Sequence, residues 1–167
     1  TYLSYVRDGN LFVLNIKESL ETQLTDRDGD PDISFGTADF LAAEEMHRHE
    51  GYWWAPDESA LAYTKTNNER VEKIRRLDAK NGEMSTIKQD YPFSGKANPF
   101  VELFLTNLIS KNNKIIKYQE DPEDYLARVN WDRTDLTLQV QSRDQKKLVV
   151  KTVQLDSGSC NTLLREN

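Results

Sequence analysis

Apolar residues in this chain recur at every second position, in short runs separated by turn residues. That period puts successive side chains on opposite faces of an extended backbone, so it specifies strands. Tyr2 to Val6, Leu11 to Ile16, Tyr52 to Ala55, Ala60 to Thr66 and Phe100 to Thr106 read this way. So do Lys114 to Tyr118, Tyr125 to Trp131, Leu136 to Ser142, Leu148 to Leu155 and Thr162 to Arg165, with Thr22 to Leu24 as a further short strand. Asp8-Gly9-Asn10 and Pro56-Asp57-Glu58-Ser59 have the chemistry of tight turns. The one helical stretch begins after Thr37 or Asp39, either of which can cap it, and runs to about His47 or His49. Its apolar side is Phe40, Leu41 and Met46. Residues 67–96 are charged and poorly periodic, and are expected to form an extended arm or loop excursion holding a strand or two of its own.

One plan occurs three times. An aromatic, a polar turn and an apolar strand follow one another in Tyr5 to Val13, in Trp54 to Tyr63 and in Trp131 to Leu138. The first two copies are about one four-stranded propeller blade apart, ~40–50 residues. The expected fold is therefore all-β: a partial β-propeller of about two to three four-stranded blades with one short helix. So few blades cannot close a ring, which makes the chain part of a larger propeller. Thr1 falls inside a strand pattern, so the natural polypeptide is expected to extend upstream.

Composition excludes several classes of function. The chain has 22 Lys+Arg against 28 Asp+Glu, and the basic residues are scattered, which argues against a nucleic-acid surface. No apolar run is as long as a membrane-spanning helix. Cys160 is the only cysteine, so no internal disulfide can form. It has no basic neighbour in sequence to activate it as a nucleophile. Apolar residues make up 37% and charged residues 30%, a polar balance that suits a piece with much exposed or partner-covered surface.

Few residues offer chemistry. His47-x-His49 beside Glu44, Glu45 and Glu50 matches no zinc spacing. The Asp26, Asp28, Asp30, Asp32 run has Pro31 and Thr37 where a calcium loop needs Gly and Glu, so it reads as a solvated turn. Trp53, Trp54 and Trp131 lie in alternating strands and read as core between blades rather than as a stacking platform. No Gly-x-Ser-x-Gly elbow occurs, so the chain by itself is expected to be catalytically inactive. What remains is Glu44-Glu45, two adjacent carboxylates on the helical stretch, directly upstream of the aromatic Tyr52-Trp53-Trp54 strand. Such pairs on exposed helices are usually just solvated. They can also accept hydrogen bonds from different protons of one ammonium group.

The ordered set Ala43-Glu44-Glu45-Met46, Gly51 to Ser59, Leu61-Ala62-Tyr63, Tyr91 to Pro99, Tyr125 to Trp131, Gln141 to Gln145 and Leu155 to Gly158 resembles the N-terminal propeller region of the dipeptidyl peptidase IV family of serine peptidases. The likeness runs over nearly the whole of residues 1–167, and the Glu-Glu-Met form is similar to the bacterial branch. It implies an eight-bladed propeller above a C-terminal α/β-hydrolase domain that lies outside this chain and carries a Ser-Asp-His triad. It also implies release of Xaa-Pro or Xaa-Ala dipeptides from peptide N-termini. Glu44 and Glu45 take the place of the family's paired glutamates, which bind the substrate's α-amino group. Residues 67–90 occupy the place of an arm that contributes to homodimerisation. No cofactor and no nucleic acid is implied. A bacterial periplasmic or secreted location is favoured, with a cytoplasmic one still open. Two rivals stand beside this reading: a non-enzymatic propeller scaffold, and an oligopeptidase or acylaminoacyl peptidase relative that would not grip a free amine.

Overall fold

The computed structural model describes residues 1–108, 110 and 112–167. In chain order the elements are β1 (Tyr2–Arg7), β2 (Asn10–Asn15), β3 (Leu20–Gln23), β4 (Ile33–Phe35), α1 (Phe40–Glu44), β5 (Tyr52–Trp54), β6 (Ala60–Asn67), β7 (Lys73–Lys80), β8 (Glu83–Asp90), β9 (Phe100–Asn107), β10 (Asn113–Ile116), β11 (Tyr125–Asp132), β12 (Asp135–Gln141), β13 (Leu148–Val153) and β14 (Cys160–Glu166). They form antiparallel sheets in sequence order: β1-β2-β3, then β10-β9-β6 with β4 and β5 both paired to β6, then β11-β12-β13-β14. This succession of meanders is the blade arrangement of a partial β-propeller, all-β apart from the short helix. The hairpin β7-β8 pairs with no other strand among the described residues.

Turn chemistry sets the hairpin registers. Asp8 and Gly9 both have positive φ, 50° and 73°, between strands whose last pair is Arg7 opposite Asn10. Two such residues make a two-residue turn whose twist matches the flanking strands. Asn81 and Gly82, at 53° and 81°, do the same at the tip of β7-β8.

The middle sheet serves two cores at once. Leu61 and Tyr63 of β6 face the first sheet and pack with Leu11, Val13 and Phe35. The intervening Ala60 and Ala62 face the third sheet, with Leu103 and Leu105 of β9 and Leu126, Val129, Leu136 and Leu138 beyond. Burial on both faces explains why Ala60 to Tyr63 is an uninterrupted apolar run. Fully burying one leucine such as Leu61 contributes about 1.5–3 kcal/mol. Indole N–H groups tie neighbouring sheets together. Trp54 Nε1 donates to Ser4 Oγ at 2.8 Å, and Trp131 Nε1 donates to the Trp53 carbonyl at 3.1 Å.

Several elements differ from the sequence expectation, and three of the differences have a visible cause. The helix is five residues long rather than running on to His47 or His49. His47 has a φ of 54°, which breaks the helical path, and Arg48 N–H then bonds back to the Ala42 carbonyl at 2.8 Å. β4 was not expected at all, because three residues are too few to show a period. β10 ends at Ile116, short of Tyr118, whose hydroxyl turns inward to donate to the Val101 carbonyl at 2.7 Å.

At the rim of the third sheet one carboxylate gathers several cations. Glu120 is hydrogen-bonded by Lys147 and doubly by Arg165, at 2.7 and 3.2 Å, with Lys151 Nζ at 3.5 Å. The Lys147 bond first, then the Arg165 bonds, hold its carboxyl down to about 2, against an ordinary value of 4.5. A depressed carboxyl contributes stability that is present above its unfolded value and lost as pH falls toward the folded one. Glu120 is about one-third exposed, so solvent screens part of the effect. The wild-type urea midpoint should therefore fall between pH 4.5 and about 2 more steeply than that of Glu120→Gln. Parallel profiles for the two proteins would show that the cluster adds nothing.

Gly51 yields a second prediction. A Cβ there would overlap Gly36 C and Thr37 N, which are backbone atoms that cannot swing aside. Gly51→Ala should cost about 4 kcal/mol or more, in the range of the largest single-site effects. Gly82→Ala, with open space around it but positive φ, should cost only ~1 kcal/mol. Thermal unfolding followed by circular dichroism compares the two, and equal midpoints would refute the steric account.

Candidate functional site

β4 and β5 lie end to end along one edge of β6, with Phe35 opposite Lys65 and Tyr52 opposite Tyr63. Between them, at Thr64, the strand opens and residues 37–50 leave the sheet. Thr64 holds both lips of the opening. Its carbonyl accepts from Gly36 N–H at 2.8 Å, and its N–H donates to the Gly51 carbonyl at 2.8 Å. Its hydroxyl reaches the Thr37 and Gly51 carbonyls at 2.8 and 3.2 Å. An antiparallel bridge between Thr37 and Glu50 closes the neck. The close approach of Gly36 and Gly51 leaves no room for a side chain at position 51.

Helix α1 sits on this excursion. The Asp39 carboxylate accepts from Ala42 N–H at 3.1 Å and so caps the first turn. Ala42 is buried, while Phe40 lies edge-on to Tyr91 with ring centroids 5.2 Å apart. Leu41, Ala42 and Met46 line a small cavity shared with Asn98, Pro99, Tyr125 and Leu126.

Glu44 is the last helical residue and Glu45 the C-cap, and both side chains are exposed. Neither makes a hydrogen bond or ion pair among the described residues. They stand at the negative end of the helix dipole, where carboxylates gain nothing from it. Arg48, the nearest cation in sequence, does not neutralise them. Its guanidinium is turned inward and only 3% exposed. Nε donates to the Leu126 carbonyl at 3.1 Å, Nη1 to the Glu50 carbonyl at 2.7 Å and Nη2 to Asp39 Oδ2 at 3.2 Å. Its carbon Cζ lies 5.7 Å from the centroid of the Trp53 ring. Burial pushes the Arg48 pKa down and Asp39 pulls it back up.

The sequence placed Glu44 and Glu45 together on a helix, and the structure keeps them adjacent at its end. Sequence reasoning missed Arg48, since one arginine between two histidines in a polar stretch carries no sign of burial. His47 and His49 are exposed, and Cys160 is half-buried, its thiol pushed up by desolvation. Chemically the arrangement offers two unneutralised carboxylates on a tab whose base is pinned to two sheets.

The family model of the dipeptidyl peptidase IV (DPP IV) N-terminal region matches residues 1–167. Dipeptidyl aminopeptidase A of Saccharomyces cerevisiae is 28% identical over 171 residues, covering 99% of this chain and 18% of the yeast protein. The inactive dipeptidyl peptidase 10 of Rattus norvegicus is 26% identical over 167 residues, covering 95% of this chain and 21% of the rat protein. The crystal structure of Porphyromonas gingivalis dipeptidyl peptidase 4 superposes with a TM-score of 0.91 at 22% identity, over 99% of this chain and 24% of that one. The chain thus spans about a fifth of the length of the curated relatives it matches.

Proposed function

The chain belongs to the dipeptidyl peptidase IV N-terminal region family, and from that membership we propose that it is the substrate-recognition propeller segment of a serine exopeptidase. In this reading a C-terminal α/β-hydrolase domain of the same polypeptide carries the Ser-Asp-His triad and releases Xaa-Pro or Xaa-Ala dipeptides. Glu44 and Glu45 grip the α-amino group of the peptide. The observation that carries the proposal is the pair's state: adjacent, exposed and without a cation partner among the described residues, on an excursion with a rigid neck.

A peptide α-amino group titrates at ~7.7–8.0 and is mostly an ammonium at neutral pH. Two carboxylates can accept from different ammonium protons, and such charge-assisted bonds are short and strong. Because the neck holds the tab, the grip also measures length. It sets the substrate N-terminus at a fixed distance from the nucleophile, so that one peptide bond reaches attack geometry. A blocked N-terminus would leave both carboxylates desolvated and unpaired, and would be rejected. The relative named as inactive favours a second reading, a binding propeller on a polypeptide without turnover.

The homodimer reading rests on the hairpin β7-β8. Leu77 and Met84 near its tip are 69% and 67% exposed. Arg75 lies directly opposite Lys88, and neither forms an ion pair among the described residues. Like charges across a strand pair are unfavourable unless something else compensates them. In the full-length protein, Leu77→Asp with Met84→Asp should shift sedimentation from dimer to monomer. An unchanged dimer would remove the hairpin from the interface, and a monomeric wild type would remove the dimer.

The principal test uses the full-length protein and Gly-Pro-p-nitroanilide. Glu44→Gln with Glu45→Gln should lower kcat/KM ~30-fold or more, the equivalent of ~2 kcal/mol or more for breaking a buried charged contact. Cleavage of an N-acetylated substrate, slow in the wild type, should not fall further. An unchanged rate on the free-amine substrate would return the pair to a solvated helix end. A wild type that binds the peptide but never cleaves it would favour the binding propeller.

A further inference from the structure

Among the described residues neither the Glu44 nor the Glu45 side chain has a hydrogen-bond or ion-pair partner, so their geometry must come from whatever holds the helix. A five-residue helix cannot hold itself, because isolated helices shorter than about 12 residues are marginal in water. The neck at Thr64 fixes where the excursion leaves and returns, but not how the tab tilts. Beneath the tab lies the buried side chain of Arg48.

We propose that Arg48 is a positioning residue for the amine-binding carboxylates. This rests on the reading of Glu44 and Glu45 given above. Its guanidinium makes three bonds in three directions. One goes to Asp39, where the same carboxylate caps the helix through Oδ1 and receives Arg48 through Oδ2. One goes to the Glu50 carbonyl at the returning lip of the neck. One crosses to the Leu126 carbonyl in β11, in the next sheet. Start of helix, end of excursion and neighbouring blade are thus joined at a single planar group. Glu44 and Glu45 lie between the two residues of the Asp39–Arg48 pair, so any movement of that pair swings them.

Charge bookkeeping supports the same role. Arg48 and Asp39 are 3% and 9% exposed and neutralise one another. The guanidinium stiffens the tab without spending its charge on Glu44 or Glu45, which stay free for an incoming ammonium. A lysine could not replace it. An ammonium on a flexible stem lacks the planar fork that meets separated acceptors in fixed directions. A small displacement at a positioning group can cost up to about 100-fold in rate.

The test is a mutant cycle in the full-length protein with Gly-Pro-p-nitroanilide, each variant assayed well below its own unfolding midpoint. Arg48→Lys should lower kcat/KM about 10-fold, mainly through KM, the parameter a misplaced amine grip changes first. In the Glu44→Gln, Glu45→Gln background the same change should have no further effect, because the groups it positions are already disabled. Asp39→Asn, which keeps a capping oxygen but removes the charge, should behave like Arg48→Lys and stands in for it if the lysine variant does not fold. Losses that multiply in the combined variant would overturn the proposal and leave Arg48 a general fold stabiliser. So would a wild-type KM in Arg48→Lys. The Glu44→Gln, Glu45→Gln protein alone reads the amine grip separately. If it keeps full activity, the grip itself fails and the positioning role falls with it.

Discussion

Everything distinctive about this chain depends on one backbone position that bonds to both ends of a broken strand. Thr64 bonds through its own N–H and C=O to Gly51 and Gly36, so the sheet continues as though residues 37–50 were absent. A buried backbone group left unpaired costs about as much as a lost hydrogen bond. A strand can therefore be opened partway along its length only where the two lips come close enough to share one partner. Glycine at position 51 permits that approach, and the Thr64 hydroxyl reinforces it through the Thr37 and Gly51 carbonyls. The result is a loop projecting from the middle of an edge strand rather than from its end.

A projecting loop would be mobile without further support, and part of that support is polar. Only Ala42 of the helix is buried, too small a side chain to anchor the tab by hydrophobic burial. The Asp39–Arg48 pair supplies the rest. A buried ion pair often adds little net stability, because desolvation offsets attraction. What it supplies here is direction, since a guanidinium with three fixed acceptors permits one orientation. The fold thus separates two kinds of carboxylate on one excursion. Asp39 is largely buried and paired with Arg48, whereas Glu44 and Glu45 are exposed and have no ion-pair partner among the described residues.

The sheets around the site are held by ordinary means, and the contrast is informative. The period-two alternation divides β6 and β9 between two cores, and tryptophan N–H bonds link adjacent sheets. Rim contacts such as the Glu120 cluster stitch loops to strands at the periphery. None of these reaches the tab. Phe40 lies edge-on to Tyr91, which in turn lies edge-on to Phe93, and this links the tab to the base of the β7-β8 hairpin. The two parts of the chain that leave the sheets therefore touch each other.

The sequence by itself determined the strand content, most strand positions, the hairpin turn at Asp8-Gly9 and the adjacency of Glu44 and Glu45. Each of these is a local property, set by side-chain period or by a residue's own backbone preference. Residues 67–96 read only as an arm with a strand or two, without the Asn81-Gly82 turn that joins β7 to β8. Tertiary structure alone decided the rest. β4 is three residues long and exists because Lys65 to Asn67 offer it partners. The helix stops at Glu44 because the chain must turn back in time to meet Gly36. Arg48 is buried because Asp39 and the Leu126 carbonyl, 78 residues further along the chain, converge on it. These depend on contacts between distant segments, and no period in a single sequence encodes them.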